Sequence, residues 1–404
     1  MSDVKITKIE ITNYRSCVAT KFYPNKDLSV LIGPNGSGKT TVLSAFQLLT
    51  KLVNVSHRRS YHDTSSIACG LKVVFIWNGY PITYEAKVNL VNNERNEDEI
   101  QGAVETWYAY SITGSKKKIV FPLNALGDAY SFGTRYQNPV VGYFAKNIVD
   151  PESARKLTTA ITEIAGFVSE ITYYSASVFT NPSTSPISFE VESESGNRRV
   201  ISITGHKKFL YDLYMSYKAN DDDYQNFIDV VGSNGAYLID DLTFLEVETS
   251  SSIYKVLVGG KLSTKQKKNN LVIPNFIIQK SSLSPSQLSE GTFKALALIF
   301  YIITNHGSLM LIEEPEVCVH HGLLYNLIDL IKIYSQEKQI IISTHSDQLL
   351  DKVEMRSVFK VIRGEDGTKV SSVRQGLNFD ELNALKDYLA NEGGLGEYWK
   401  HGDL

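Results

Sequence analysis

The sequence predicts an α/β fold, a mixed sheet with flanking helices beside an antiparallel β subdomain, from three observations. First, the apolar run Leu28 to Ile32 ends at Gly33 and a glycine-rich loop. Thr40 to Leu52 follows, carrying Val42, Leu43, Phe46, Leu48 and Leu49 without Gly or Pro. Second, two further runs, Leu309 to Ile312 and Ile340 to Ile342, end in Glu313-Glu314 and in Ser343-Thr344-His345. Runs that are apolar throughout are strands buried on both faces, and a strand, loop and helix in succession is the unit of a parallel layer. Third, residues from about Leu71 to Phe121 are strand-like, with Asn78-Gly79 turning Val73–Trp77 back into Ile82–Ala86. That pattern predicts an antiparallel meander.

Taken in order, Val4, Ile6, Ile9 and Ile11 mark an opening strand. Asp150 as N-cap and Pro151 at the first helical position start a helix, in which Leu157, Ile161, Ile164, Val168 and Ile171 recur at helical spacing. Asn181 to Pro186 is a Pro/Ser/Thr linker, Lys207 to Val231 a helical stretch broken at Asp221-Asp222-Asp223, and strands return between Tyr237 and Ile278. Ser289 can N-cap an apolar helix from Phe293 to Ile303. No repeat or sustained heptad pattern occurs between residues 50 and 280, so no coiled-coil arm is expected.

The chain has 404 residues, 43% hydrophobic and 21% charged, which excludes a disordered chain and allows two or three packed units. With 41 basic against 44 acidic residues no global field points to nucleic acid. Lys116-Lys117-Lys118 and Lys265-Gln266-Lys267-Lys268 read as solvated loop faces. Cys17, Cys69 and Cys318 form neither a disulfide framework nor a metal pair and fit a reducing cytoplasm as small buried residues. Charges interrupt the opening residues, so no export signal is expected, and the longest apolar run, Ala295 to Ile303, is about half the ~20 residues of a membrane span.

Gly33-Pro34-Asn35-Gly36-Ser37-Gly38-Lys39-Thr40 has the spacing of a phosphate-binding loop, whose glycines let backbone N–H groups curl around an anion at a helix N-terminus. Asn35, Gly36, Ser37 and Gly38 would form the cradle and Lys39 would reach the β- and γ-phosphates. Thr40 would place its hydroxyl on Mg²⁺, with Thr41 in the first helical turn. Glu313, ending an apolar strand, is where such a site needs a metal-holding acid. Glu314, one residue on, is placed to polarise the attacking water as general base. His345, ending the next strand, is placed to sense the γ-phosphate. Ser289 and Gly291 in Leu288-Ser289-Glu290-Gly291-Thr292 offer a second phosphate contact at a capped helix.

These residues resemble the ABC-type ATPase heads of the RecF, Rad50 and SMC superfamily, and most closely the OLD-like members of the AAA ATP-binding proteins. The resemblance rests on Ile11-Thr12-Asn13-Tyr14-Arg15-Ser16, the loop at 33–40, the signature at 288–292, Ile312 to Glu316 with His320-His321, and Ser343 to Leu350. It covers residues 1–50 and 283–350. It implies an ABC-type head with a helical insertion, divided as 1–140 with the loop and meander, 141–235 as the insertion, and 236–404 with signature, Walker B acids and H-loop. It also implies ATP with Mg²⁺, and a homodimer or higher homo-oligomer in which Ser289 and Gly291 of one copy clamp ATP held by another. Glu316 to Val319 would be the D-loop at that interface. Thr292 stands where transporter ATPases have glycine, Glu313 where they have Asp. Gln137 and Tyr173-Tyr174-Ser175-Ala176 are the candidates for the Q-loop.

No Asp-x-Asp follows His345, so the nuclease unit of full OLD proteins is not expected. Leu385 to Leu389 with Gly393 to Trp399 is similar to the tail of free-standing members. Such members resemble the ATPase components of two-gene anti-phage systems such as PARIS and Septu, where a separate nuclease or toxin is the effector. The leading expectation is therefore an ATP-hydrolysing sensor and scaffold in the cytoplasm. The alternative is a RecF-like repair ATPase clamping DNA. A transporter subunit fits poorly with the long middle region.

Overall fold

The computed structural model describes residues 3–54, 69–92, 98–109, 119–122, 151–192, 205–256, 262–307, 309–317, 319–391 and 393–400. Strands β1 (Val4–Tyr14), β2 (Cys17–Phe22) and β3 (Leu28–Ile32) precede helix α1 (Lys39–Asn54). β4 (Cys69–Trp77), β5 (Tyr80–Asn92), β6 (Asp98–Ala109) and β7 (Ile119–Pro122) follow, then α2 (Pro151–Ser169), β8 (Thr172–Ser175) and β9 (Phe189–Glu192). Next come α3 (Gly205–Ala219), α4 (Asp222–Val231), β10 (Asp241–Val256), β11 (Leu262–Ile278), β12 (Ser281–Leu283) and α5 (Glu290–Thr304). The last third holds β13 (Leu309–Glu313), α6 (His321–Tyr334), β14 (Gln339–Thr344), α7 (Asp347–Lys352), β15 (Val358–Gly364) and β16 (Gly367–Ser372). It closes with α8 (Val373–Gly376), α9 (Phe379–Asn391) and α10 (Leu395–Lys400).

The chain folds into two compact units, and the α/β class with a mixed sheet is the observed one. The first unit takes residues 1–173, 306–314 and 328–404. Its antiparallel sheet has the order β2-β1-β4-β5-β6-β7, and β4 alternates buried and half-buried residues along its whole length. On the inner face Ile9 lies opposite Phe22 and Val73, Phe75 opposite Ile82, and Tyr84 opposite Trp107. The Asn78-Gly79 turn has φ of 46° and 85°, the pair of positive values that a two-residue hairpin matching the strand twist demands. On the outer face Lys21, Glu10, Lys72 and Glu85 sit side by side across four strands with alternating sign.

The second sheet runs β16-β15-β3-β14-β13-β8. β13, β14, β3 and β15 are parallel neighbours, and β3 and β14 are buried at every residue, which is why their sequences are mostly apolar, with Ser29, Gln339, Ser343 and Thr344 the buried polar exceptions. The register of these strands sets where the polar strand ends emerge. Glu313 lies beside Ser343, Ser343 beside Leu31 and Thr344 beside Ile32, so the chain leaves three adjacent strands at one end of the sheet as Gly33, Glu314 and His345. One hydrophobic core fills this unit. It includes Phe46 and Leu49 of α1, Ile164 and Phe167 of α2, Leu311 and Ile341. Burying a large apolar side chain fully contributes about 1.5–3 kcal/mol each.

The second unit takes residues 174–305 and 315–327. α5 is buried from Phe293 to Phe300, and Phe209 packs edge-on against Phe293 and Phe300. Its sheet pairs β11 with β10 on one side and with β12 and β9 on the other. Asp221 breaks the expected helical stretch by capping α4, its carboxylate accepting from Tyr224 N at 3.0 Å. β10 begins at Asp241 rather than Tyr237, which lies outside the strand with φ 52°.

Three expectations change. The supposed linker at 181–186 contains a 3₁₀ turn, Pro182–Thr184, with Pro182 and Ser185 buried. Lys265 to Lys268 lie on β11 opposite Ser250 to Ile253, not in a loop, because β10 and β11 pair far beyond their apolar portion. Lys294, inside the helix expected to be apolar from Phe293 to Ile303, is 1% exposed and pairs with Glu290 one turn back at 2.7 Å. Cys17 and Cys69 are buried free thiols, and Cys318 lies outside the described residues, as do Lys116 to Lys118 and Gln137. Among the described residues no helix is long and apolar enough to cross a membrane.

Candidate functional site

The loop between β3 and α1 is the starting point. Gly38 has φ 106°, and a Cβ there would stand 2.2 Å from Thr368 Oγ1, so both the dihedral and the crowding exclude a side chain. Thr368, 1% exposed, belongs to β16 and holds the loop from below. Its Oγ1 lies 3.0 Å from the Ser37 carbonyl and 2.9 Å from Ser16 Oγ, and Ser16 Oγ donates to Thr41 Oγ1 at 3.1 Å. The β1–β2 turn thereby fixes the first turn of α1. Arg15 in the same turn, at φ 51°, donates to Ser44 Oγ at 3.3 Å.

Lys39 is 5% exposed. Its Nζ donates to the carbonyls of Gly33 at 2.8 Å and Pro34 at 3.3 Å and lies 2.7 Å from His345 Nε2. Burial, reinforced by the Lys39 charge and opposed by Glu314, holds the His345 imidazole below its ordinary pKa. A neutral ring can accept from the ammonium. Glu314 Oε1 is 3.7 Å from His345 Nε2, and both side chains keep about a third or more of their surface exposed. Glu314 has a left-handed φ of 48°, and its N–H donates to the Ser343 carbonyl at 2.9 Å, which turns the chain away from the strand.

Glu313 is held at both oxygens, Oε1 accepting from the Thr40 hydroxyl and Oε2 from the Tyr173 hydroxyl of β8. A hydroxyl and a carboxylate are hard oxygen donors of the kind a small divalent cation takes together with phosphate oxygens. Among the described residues no cluster of three or more His, Cys, Asp or Glu could hold a metal without such help. The hydroxyl of Ser37, on a residue 2% exposed, has no hydrogen-bond partner among the described residues.

Lys39, Thr40, Glu313, Glu314 and His345 thus stand together in the first unit, and Asn35 and Gly36 are exposed at the loop tip. Ser289 and Gly291 belong to the second unit. Ser289 is exposed and caps α5, its Oγ accepting from Thr292 N at 3.2 Å. Of the expected Glu316 to Val319 segment, the Val319 N–H donates to the Glu316 carbonyl at 3.2 Å. Sequence reasoning missed Thr368 as a support of the loop and Tyr173 as a partner of Glu313. Neither carries a local pattern, although Tyr173 falls within one of the two segments considered for the Q-loop.

Two family models match the chain. Residues 4–107 match one described as "AAA ATPase domain", and residues 193–351 match one described as "AAA domain, putative AbiEii toxin, Type IV TA system". The matched stretches include the phosphate loop, the signature, both acids and His345. No curated protein is detectably similar in sequence. Among solved structures, the SMC head domain from Thermotoga maritima is similar at 12% identity over 91% of this chain and 99% of that one, with a TM-score of 0.42. The Smc head domain with an extended coiled coil from Pyrococcus furiosus, bound to the C-terminal domain of ScpA, aligns at 14% identity over 96% of this chain and 100% of that one, TM-score 0.43.

Proposed function

We propose that this chain is an ABC-type ATPase that binds and hydrolyses ATP, that its copies close over bound nucleotide, and that it acts in the cytoplasm as sensor and scaffold for a separately encoded nuclease or toxin in anti-phage defence. The observation that carries the ATPase reading is the convergence of Lys39, Thr40, Glu313, Glu314 and His345 at the ends of three adjacent parallel strands. Open α/β sheets bind ligands at that end.

In this reading the backbone of Asn35 to Gly38 and the Ser37 hydroxyl surround the phosphates, Lys39 neutralises the β/γ oxygens, and Thr41 steadies the helix start. Mg²⁺, when bound, neutralises developing charge on the phosphate oxygens, and Thr40 and Glu313 are the residues that would hold it. Glu314 takes the proton of the attacking water while His345 contacts the γ-phosphate. Ser289 and Gly291 of a second copy supply the capped helix end that completes the cradle.

Tyr173 adds a test. With its hydroxyl removed, Glu313 is held by Thr40 alone, so Tyr173→Phe is expected to weaken Mn²⁺ binding to the nucleotide-loaded protein about tenfold. Electron paramagnetic resonance of bound Mn²⁺ measures this, and an unchanged affinity would detach Tyr173 from the metal carboxylate.

Two features favour an effector-linked role over a DNA clamp. The description of the family model matching residues 193–351 includes a type IV toxin–antitoxin system, which is a two-component arrangement. The outer face of the six-stranded antiparallel sheet alternates Lys21, Glu10, Lys72 and Glu85, which gives no continuous positive stripe along that row for duplex phosphates. Purification from the native operon tests the choice. A co-purifying small nuclease or toxin is expected, whereas ATP-dependent, salt-sensitive duplex binding without such a partner would select the clamp.

A further inference from the structure

We propose that Gly393–Lys400 is a strap that fixes His345 in place by clamping the helix behind it, with Gly396, Asp351 and Lys400 as positioning residues. The proposal rests on His345 being the γ-phosphate contact. α7 begins at Asp347, two residues after His345, and has only six residues. A helix of that length does not hold its shape alone. Its own supports are local: Ser346 Oγ accepts from Leu349 N at 3.2 Å, Thr344 Oγ1 accepts from Ser346 N at 2.9 Å, and Leu349 and Leu350 are buried.

Lys332 of α6 adds one bond, its Nζ donating to the Lys352 carbonyl at 2.9 Å, and the closing segment supplies the further grip. The Gly396 N–H donates to Asp351 Oδ1 at 2.6 Å, and Lys400 Nζ pairs with Asp347 Oδ2 at 2.8 Å, so both ends of α7 are gripped. The Lys400 hydrogen bond holds the Asp347 carboxyl below its ordinary range. Leu395 is 3% exposed, and Tyr398 packs against Tyr388 of α9 with ring centres 5.1 Å apart.

The fit is closest at Gly396. A Cβ on Gly396 would stand 1.9 Å from the Asp347 carbonyl oxygen, and one on Gly394 would stand 2.1 Å from Asp351 Oδ1. Contact with the Asp347 carbonyl is contact with the backbone, so no side-chain rotation can relieve it. Setting that backbone sets the direction in which β14 hands over to α7, and with it the position of the imidazole 2.7 Å from Lys39 Nζ. The strap's grip falls on Asp347 and Asp351 rather than on the phosphate loop, so its effect on turnover passes through His345.

The test uses the full chain labelled at histidine, with the His345 ring signal assigned by its loss in His345→Gln. Gly396→Ala and Lys400→Glu are each expected to shift or broaden that signal, to lower ATP turnover about tenfold or more, and to leave the nucleotide Kd within about twofold. Lys400→Arg should restore the wild-type signal. Lys400 is 71% exposed, so Lys400→Glu tests the strap even if Gly396→Ala does not fold. A His345 signal unmoved in Lys400→Glu and in any folded Gly396→Ala overturns the strap, as does a loss of nucleotide binding in parallel with turnover. A moved signal with unchanged turnover supports the strap and overturns instead the role assigned to His345.

Discussion

Replacing Glu314 with glutamine is expected to lower ATP turnover between about a hundredfold and ten-thousandfold while leaving ATP bound. Glutamine matches glutamate in shape and keeps the N–H that donates to the Ser343 carbonyl, so the turn after β13 survives. What it loses is the ability to accept a proton at the atom 3.7 Å from His345 Nε2. If Glu314 is the base, the variant should accumulate with ATP in the closed state and elute as a dimer by light scattering when ATP is present. Adding Ser289→Arg should return it to a monomer, because an arginine there removes the α5 cap and places bulk at an exposed helix end. A turnover rate that ignores Glu314→Gln would remove the general-base assignment. A trapped dimer that ignores Ser289→Arg would remove the clamp.

Lys39→Ala is expected to raise the Kd for ATP at least about a hundredfold, close to three kcal/mol. The side chain is buried, and its ammonium already faces two loop carbonyls and a neutral imidazole, so it is desolvated and aimed before any phosphate arrives. A preoriented charge loses little freedom on binding, which makes its removal expensive. Titration calorimetry measures the affinity directly. Thermal unfolding of the variant provides the control, and an unchanged Kd in a folded protein would show that the loop holds no nucleotide.

Much of this site is legible in the sequence because its parts are contiguous. The loop announces itself between a mostly apolar strand and a helix, and Glu313-Glu314 and His345 stand at the ends of two more such strands. Parallel register then brings the three strand ends together. The supports are another matter. Tyr173 meets Glu313 across 140 residues, and Thr368 meets the Ser37 carbonyl across 331, with no periodicity linking either pair. Lys294 interrupts an apolar run and is still buried, because Glu290 a turn earlier neutralises it. Gly396 carries no local sign of its role, yet the Asp347 carbonyl, 1.9 Å from where a Cβ would stand, leaves no room for a side chain. Except for Lys294, whose partner shares its helix, the reason for the residue lies on another element.

The left-handed backbone of Glu314 has one more consequence. A side chain other than glycine, or to a lesser degree asparagine, enters that region at a cost of order 1 kcal/mol. Either of those would sit more comfortably at position 314, and neither could take up a hydrogen ion. If Glu314 is the base, heat resistance and turnover therefore pull this position in opposite directions. On that reading the acid at 314 trades backbone comfort for a proton acceptor.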